Sequence, residues 1–269
     1  MEEWINEISA RVPRVEWEYI GEDGLLHCSV CKHQTQTEVE FLGHKKIVPC
    51  ICKCKMDELQ AEKEKERQAE ILQKKRFCFQ NDEMIDWNFA NDDRENAKLS
   101  DAMQNYVGNF ETFRENGMGL LLYGSVGTGK TYYSSCIANA LIEKGYSVIF
   151  RTFKQLERGL WNAEDKEYYM SELNRYTLLI LDDLGAERDS KYMSDIVFDI
   201  IDSRYKSGLP FIITTNLTAD EIKKTQEVTY SRIYDRVLER CHPISVDGKS
   251  RRREALKKNY QDTQKLLGL

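Results

Sequence analysis

The sequence predicts an α/β fold: a P-loop domain with a parallel five-stranded sheet, preceded by a small zinc-binding module. Three observations predict it. Gly124, Ser125, Val126, Gly127, Thr128, Gly129, Lys130 and Thr131 match G-x-x-x-x-G-K-[ST], the phosphate-binding loop. A mostly apolar run, Tyr176 to Leu181, ends in Asp182-Asp183. Five of the eight cysteines fall in one short N-terminal stretch.

Composition narrows the reading. The 269 residues allow one large domain, or one domain with an appendage. The net charge of −6 does not advertise nucleic-acid binding, so any such binding needs a local basic patch. No apolar run is long enough to cross a membrane, and the acidic start Met1-Glu2-Glu3-Trp4 is not a signal peptide. The expectation is a cytoplasmic protein with no membrane partner. Cysteines in such a chain point to thiols or metal rather than disulfides. The expected organisation is a cysteine-rich zinc module over 1–55, a charged linker helix over 56–76 and an ATPase domain over 77–269.

Trp4, Ile5 and Ile8 share the face of a short helix that Pro13 interrupts. Cys28 and Cys31 form a C-x-x-C knuckle, and Cys50, Cys52 and Cys54 follow about twenty residues on, spacing suited to a tetrahedral zinc site. Five cysteines compete for four positions. Cys28 and Cys31 supply one pair, and the other is Cys50 with Cys52 or Cys52 with Cys54; His27, His33 and His44 are outside candidates. Four thiolates leave no open position, so the zinc would be structural. Gln36 to Phe41 and Lys45 to Val48 read as two short strands between the cysteine clusters.

Met56 to Lys75 lacks Gly and Pro and alternates charge, as a solvated helix does. Phe79, Met84, Ile85, Trp87 and Phe89 either pack around a nucleobase or form an ordinary arm of the core. Ala97 to Phe113 reads as one amphipathic helix, with Met103, Tyr106, Val107 and Phe110 on one side.

Leu120 to Tyr123 supplies the strand, and Tyr132 to Lys144 the helix, that the phosphate loop needs on its two sides. The glycines let the backbone turn its N–H groups toward phosphate oxygens, and the helix N-terminus favours the anion. Lys130 would reach the β- and γ-phosphates and Thr131 would hold Mg²⁺. Tyr146 to Thr152 is the second strand, and Phe153 to Leu173 reads as polar-aromatic helix. At the end of the third strand, Asp182 would hold Mg²⁺ and Asp183 sits where a base or water-positioning carboxylate belongs. Tyr192 to Tyr205 is helical. Phe211 to Asn216 is the fourth strand, and Asn216 at its end would hydrogen-bond the attacking water or γ-phosphate; Thr214 and Thr215 are secondary candidates. Thr229 to Arg240 carries Arg232 and Arg236 on one face. Pro243 to Val246 is a fifth strand, followed by the basic segment Lys249 to Lys258.

Gly124 to Thr131, Leu178 to Gly185, Thr214-Thr215-Asn216, Ser231 to Arg236 and Gly248-Lys249-Ser250-Arg251-Arg252 together resemble the DnaC/DnaI branch of the AAA+ ATPases, the bacterial and phage helicase loaders. The transposition ATPase IstB is a close relative. The resemblance covers about residues 77 to 255, and a cysteine-rich N-terminal module resembles the helicase-contacting domain of DnaI-type loaders. It implies ATP and Mg²⁺ as ligands, Asn216 as sensor 1, and Arg232 or Arg236 as an arginine finger acting on ATP in a neighbouring subunit. Arg252 would be a sensor-2-like residue; its rival reading is a DNA phosphate contact with Arg251, Arg253 and Lys257. The implied partners are a hexameric replicative helicase, single-stranded DNA and further copies in a spiral or ring. Phe153, Lys154, Arg158, Trp161, Tyr168 and Tyr169 combine cations and aromatics as DNA sites do; Glu157, Glu164, Asp165 and Glu167 oppose that reading, and a solvated helix with inward aromatics is the alternative. Two departures matter. Asp183 stands where many AAA+ proteins carry Glu, which suits slow, partner-dependent turnover. Only residues 247–269 follow Val246, too few for a complete helical lid. The function these features imply is ATP-dependent helicase loading, with release on hydrolysis. The alternatives are an IstB-like transposition ATPase and a nucleotide-binding adaptor without turnover.

Overall fold

The computed structural model describes residues 17–41, 43–185, 191–225 and 227–267. The expected helix around Trp4, Ile5, Ile8 and Pro13 lies outside them. The chain forms two compact units, Met1–Glu70 and Ile71–Leu269.

In the first unit, β1 (Glu18–Ile20) pairs antiparallel with β2 (Leu26–Cys28), and β3 (Gln36–Phe41) pairs with β4 (His44–Pro49). Its buried apolar side chains among the described residues are Leu26, Cys28 and Cys52. Two hairpins with so little apolar interior need another source of stability. The division between units falls inside helix α1 (Lys53–Phe79), whose buried residues are the last two, Cys78 and Phe79. Ion pairs one turn apart, Lys55–Glu58 and Arg67–Glu64, line its solvated face.

In the second unit, two helices precede the sheet: α2 (Ala97–Gly108) and α3 (Phe110–Glu115). The expected single helix over this stretch breaks at Asn109, which caps α2 by donating its N–H to Asn105 O. Strand β5 (Gly119–Tyr123) leads into α4 (Lys130–Glu143), and β6 (Val148–Thr152) into α5 (Phe153–Asn162) and α6 (Lys166–Leu173). The single helix expected over Phe153 to Leu173 is therefore two. They separate because the Asp165 carboxylate accepts the Tyr168 N–H and so caps a new helix. Then follow β7 (Leu178–Leu184), α7 (Lys191–Ser207), β8 (Phe211–Thr215), α8 (Ala219–Lys223), α9 (Val228–Arg240), β9 (Cys241–Ser245) and α10 (Arg251–Leu267).

The five strands β5 to β9 pair in parallel in the order β6-β7-β8-β5-β9. Alternation along β5 feeds two cores. Leu120 and Leu122 join Ile137, Leu141 and Met103, while Leu121 joins Val197, Ile201, Ile233 and Val237. Burial on both faces is why β5, β7 and β8 read as unbroken apolar runs. In such a sheet the crevice beyond the strand C-termini, where the strand order turns, is the place for a ligand.

Candidate nucleotide-binding site

A cleft of about 400 Å³ lies at that place. Val126, Gly127, Gly129, Lys130 and Thr131 of the phosphate loop line it, together with Asp183, Asn216 and Arg252. The loop is shaped by its glycines and by the segment after β9. At Gly127, φ is +84°, and a Cβ there would lie 2.3 Å from Ser250 Oγ. The Arg251 N–H donates to Gly127 O at 3.0 Å. Gly248-Lys249-Ser250-Arg251-Arg252 is therefore folded against the loop, which brings Arg252 to the cleft. Lys130 is buried, and its Nζ donates to Gly124 O at 2.9 Å and Ser125 O at 2.7 Å. Burial lowers the pKa of its ammonium group. At the start of α4, backbone N–H groups without intrahelical partners face an incoming anion.

The acidic side of the cleft is built by an irregularity. Between Leu181 and Leu184 the register of β7 on β8 shifts, with Leu181 opposite Ile213 and Leu184 opposite Thr215. One extra residue on β7 makes a bulge. Asp183 sits in it at φ +67°, a left-handed conformation that Asp tolerates better than most residues. In a regular strand, consecutive side chains point to opposite faces. The bulge instead leaves Asp182 buried against the loop and turns Asp183 into the cleft. Asp182 accepts from Thr131 Oγ1 at 3.1 Å and from Thr214 Oγ1 at 2.7 Å. Burial raises its pKa, and these two hydrogen bonds act in the opposite direction. Thr214 Oγ1 also accepts the Asp183 N–H at 2.9 Å, and Asn216 Nδ2 donates to Asp183 Oδ1 at 2.8 Å. The two residues that would hold Mg²⁺, Thr131 and Asp182, are thus already in contact.

A model of the IstB-like ATP binding protein family matches residues 26–259. The chain belongs to this family. Among its relatives, the replicative helicase loader DnaI of Bacillus subtilis is 32% identical over 167 residues, covering 56% of this chain and 54% of DnaI. The replicative helicase loader DnaC of Escherichia coli K12 is 30% identical over 144 residues, covering 52% and 56%. The chain spans about half the length of these curated relatives. A crystal structure of DnaI superposes with a TM-score of 0.55 at 25% identity, covering 66% of this chain and 98% of that one.

Several residues at the cleft of this IstB-like chain were missed or left open in the sequence. Glu83, Trp87, Tyr132 and Arg251 also line it. The aromatic arm before α2 divides: Phe79 and Met84 are core residues, and Trp87 reaches the cleft and packs on Tyr132. Arg251 pairs with Asp93 at 2.7 Å, so it belongs to the cleft rather than to an outward basic group with Arg253 and Lys257. Thr214 was underrated. Its signal was a polar residue within the otherwise apolar Phe211-Ile212-Ile213 strand.

Arg232 and Arg236 lie on α9 and do not line their own chain's cleft. Arg236 Nε donates to Asp202 Oδ1 at 2.8 Å. Arg232 is exposed, with its guanidinium 4.4 Å from the Phe198 ring centroid.

In the first unit, the Sγ atoms of Cys28, Cys31, Cys52 and Cys54 all lie within 4.8 Å of one another. A tetrahedral zinc–thiolate site has sulfur–sulfur edges of about 3.8 Å, so this donor set fits the ion. Cys50 is outside the group; its Sγ contacts Gln34 O at 3.4 Å. His27 is held by Asp23, and His33 by the Cys31 carbonyl. Backbone N–H groups of Cys54 and His33 pull the Cys31 thiol down to about 5, whereas hydrogen bonding within the group pushes Cys54 up to about 12.

The DNA candidates also divide. Phe153 is buried and Tyr169 packs against the same core. Lys154, Arg158, Trp161 and Tyr168 are exposed, and the first three recur at helical spacing on α5. Among the described residues no helix is long and apolar enough to cross a membrane.

Proposed function

We propose that this chain is an ATPase that loads a hexameric replicative helicase onto single-stranded DNA and lets it go on hydrolysis. The observation that carries this reading is the cleft itself. Lys130, Thr131, Asp183, Asn216 and Arg252 converge there, in a chain whose relatives include replicative helicase loaders. Lys130, the loop N–H groups and Arg252 bind the triphosphate. Thr131 and Asp182 hold Mg²⁺, which neutralises charge on the phosphates. Asp183, steadied by Asn216, orients the attacking water. Asp holds its carboxylate further back than Glu, so turnover is slow until assembly completes the site. Arg232 or Arg236, away from its own cleft, acts on ATP in the next subunit of a spiral or ring.

The remaining parts follow the domain plan. Residues 1–55 form a module built on a structural zinc held by Cys28, Cys31, Cys52 and Cys54, which contacts the helicase. Residues 56–76 are the linker and 77–269 the ATPase domain. Lys154, Arg158, Trp161 and Tyr168 offer cations and aromatics to single-stranded DNA.

The test is ATP hydrolysis with and without single-stranded DNA for wild type, Lys130→Ala, Arg236→Ala and a mixture of the two variants. Both variants alone should be inactive, and the mixture should recover activity, since one supplies an intact cleft and the other the arginine. Association with a hexameric replicative helicase is the second arm. Recovery of a transposase in its place would favour the transposition ATPase that the IstB-like family name also admits. No turnover even with helicase and DNA present would favour the nucleotide-binding adaptor.

A further inference from the structure

Asp202 lies on α7, 34 positions before Arg236, and is not at the cleft. Its carboxylate is 15% exposed and has two cationic partners: Oδ1 accepts from Arg236 Nε at 2.8 Å, and Oδ2 faces Lys206 Nζ at 2.6 Å. Lys206 and Arg236 hold its pKa below the ordinary carboxylate value against the opposing effect of burial. Arg236 is correspondingly constrained. Its Nη1 donates to the Arg232 carbonyl at 3.3 Å, and its guanidinium lies 4.7 Å from the Phe198 centroid and 5.8 Å from that of Tyr205. A guanidinium carries five N–H donors in a rigid fork. Here the Nε and Nη1 edges are engaged by the protein, which leaves Nη2 as the edge for an outside acceptor. Arg232, by contrast, has no carboxylate partner among the described residues, and its guanidinium lies over the Phe198 ring, 4.4 Å from the centroid.

From this arrangement we infer that Asp202 is a positioning residue for the arginine that acts on a neighbouring subunit's nucleotide. The inference rests on the assembly-dependent hydrolysis proposed above. Arg236 has a long, flexible stem, and a free side chain would have to be ordered at each encounter. The Asp202 carboxylate and the Phe198 ring order it in advance, so the incoming phosphate meets a fixed donor. Asp202 touches neither nucleotide nor metal. Its effect passes through Arg236, and so it belongs only to the subunit that donates the arginine.

That one-sidedness is the test. Asp202→Ala and Asp202→Asn are each mixed with Lys130→Ala, which has an impaired cleft and an intact arginine, and separately with Arg236→Ala, which has the reverse. Alone, the Asp202 variants should lose about 10- to 100-fold in DNA-stimulated turnover, the scale of a misplaced catalytic group. They should bind a fluorescent ATP analogue as wild type does. Mixed with Lys130→Ala they should recover as far as Arg236→Ala does. Mixed with Arg236→Ala they should not, because neither subunit then donates an ordered arginine. Recovery with Arg236→Ala, failure with both partners, or wild-type turnover overturns the assignment. If Asp202→Ala does not fold, Asp202→Asn, which keeps the side chain's size, carries the test. If the Lys130→Ala and Arg236→Ala mixture itself fails to recover, the action between subunits falls, and the role of Asp202 falls with it.

Discussion

Asn216 and Asp183 form one unit: the asparagine amide donates to Asp183 Oδ1 at 2.8 Å, at the C-terminal ends of adjacent strands β8 and β7. The residues proposed as sensor and as water-orienting acid are thus geometrically coupled. Asn216→Ala would release the carboxylate without removing it. ATP turnover is expected to fall about 10²-fold, toward the low end for loss of a positioned base. Nucleotide affinity should hold, because the loop is untouched. Steady-state hydrolysis and an equilibrium titration with fluorescent nucleotide separate the two effects.

Asp182 predicts an exchange between stability and ligand binding. Burial is the largest influence on it and raises its pKa in the folded chain above the unfolded value. The folded state then holds the proton more tightly, so stability declines as pH rises from the unfolded to the folded pKa, and the penalty is complete above that window. Asp182→Asn removes the penalty. Without nucleotide it should melt above wild type at neutral pH, and the difference should shrink in acid. With Mg²⁺ and ATP the order should reverse. Thermal melts at several pH values, with and without ligand, measure both.

Thr214 makes two bonds with one hydroxyl, to Asp182 Oδ1 and from the Asp183 N–H. Thr214→Val keeps the shape, leaves the Asp183 N–H without this acceptor and reduces Asp182 Oδ1 to its weaker hydroxyl partner, Thr131. The expected cost is about 1–3 kcal/mol in denaturant unfolding. Turnover should also fall, because the bulge that aims Asp183 loses its tie.

The cysteine group separates Cys50 from its neighbours. Purified chain should carry one zinc, read by a chromogenic chelator after thiol release. Cys50→Ser should retain it, whereas Cys52→Ser and Cys54→Ser should lose it. A strong chelator should unfold the first unit, because metal binding is folding energy in so small a module.

Arg204 is fully buried, and burial lowers its pKa to about 9, which still leaves it cationic at neutral pH. It donates to the carbonyls of Tyr176, Thr177 and Pro210 at 2.8–3.0 Å, joining the approaches to β7 and β8. Arg204→Met should cost about 3 kcal/mol or more, since each abandoned buried acceptor is expensive. Urea unfolding of the two proteins checks it.

Much of this was legible in the residues. The phosphate loop was, because its glycines, lysine and threonine act within one turn of chain and need only a strand before and a helix after. The sheet was, because strands covered on both faces leave unbroken apolar runs. Helix breaks at Asn109 and Asp165 were not, because an apolar period continues across both and the caps compete with it locally. The cleft-lining Trp87 and Arg251 were ambiguous for another reason: aromatic and basic residues near a nucleotide loop serve core, surface or ligand with the same spacing.

What the chain order alone decides, then, is whatever depends on neighbours in sequence: the loop, the helix dipole behind it, the apolar strands and the first cysteine knuckle. The tertiary structure decides what depends on register between distant segments. One extra residue on β7 aims Asp183 at Asn216, and the packing of α7 on α9 gives Arg236 to Asp202. The closing of two hairpins onto the start of α1 selects Cys54 over Cys50. A hydrogen bond or a thiolate group is a matter of a few ångströms, and sequence spacing does not set distances between residues that meet only when the chain is folded.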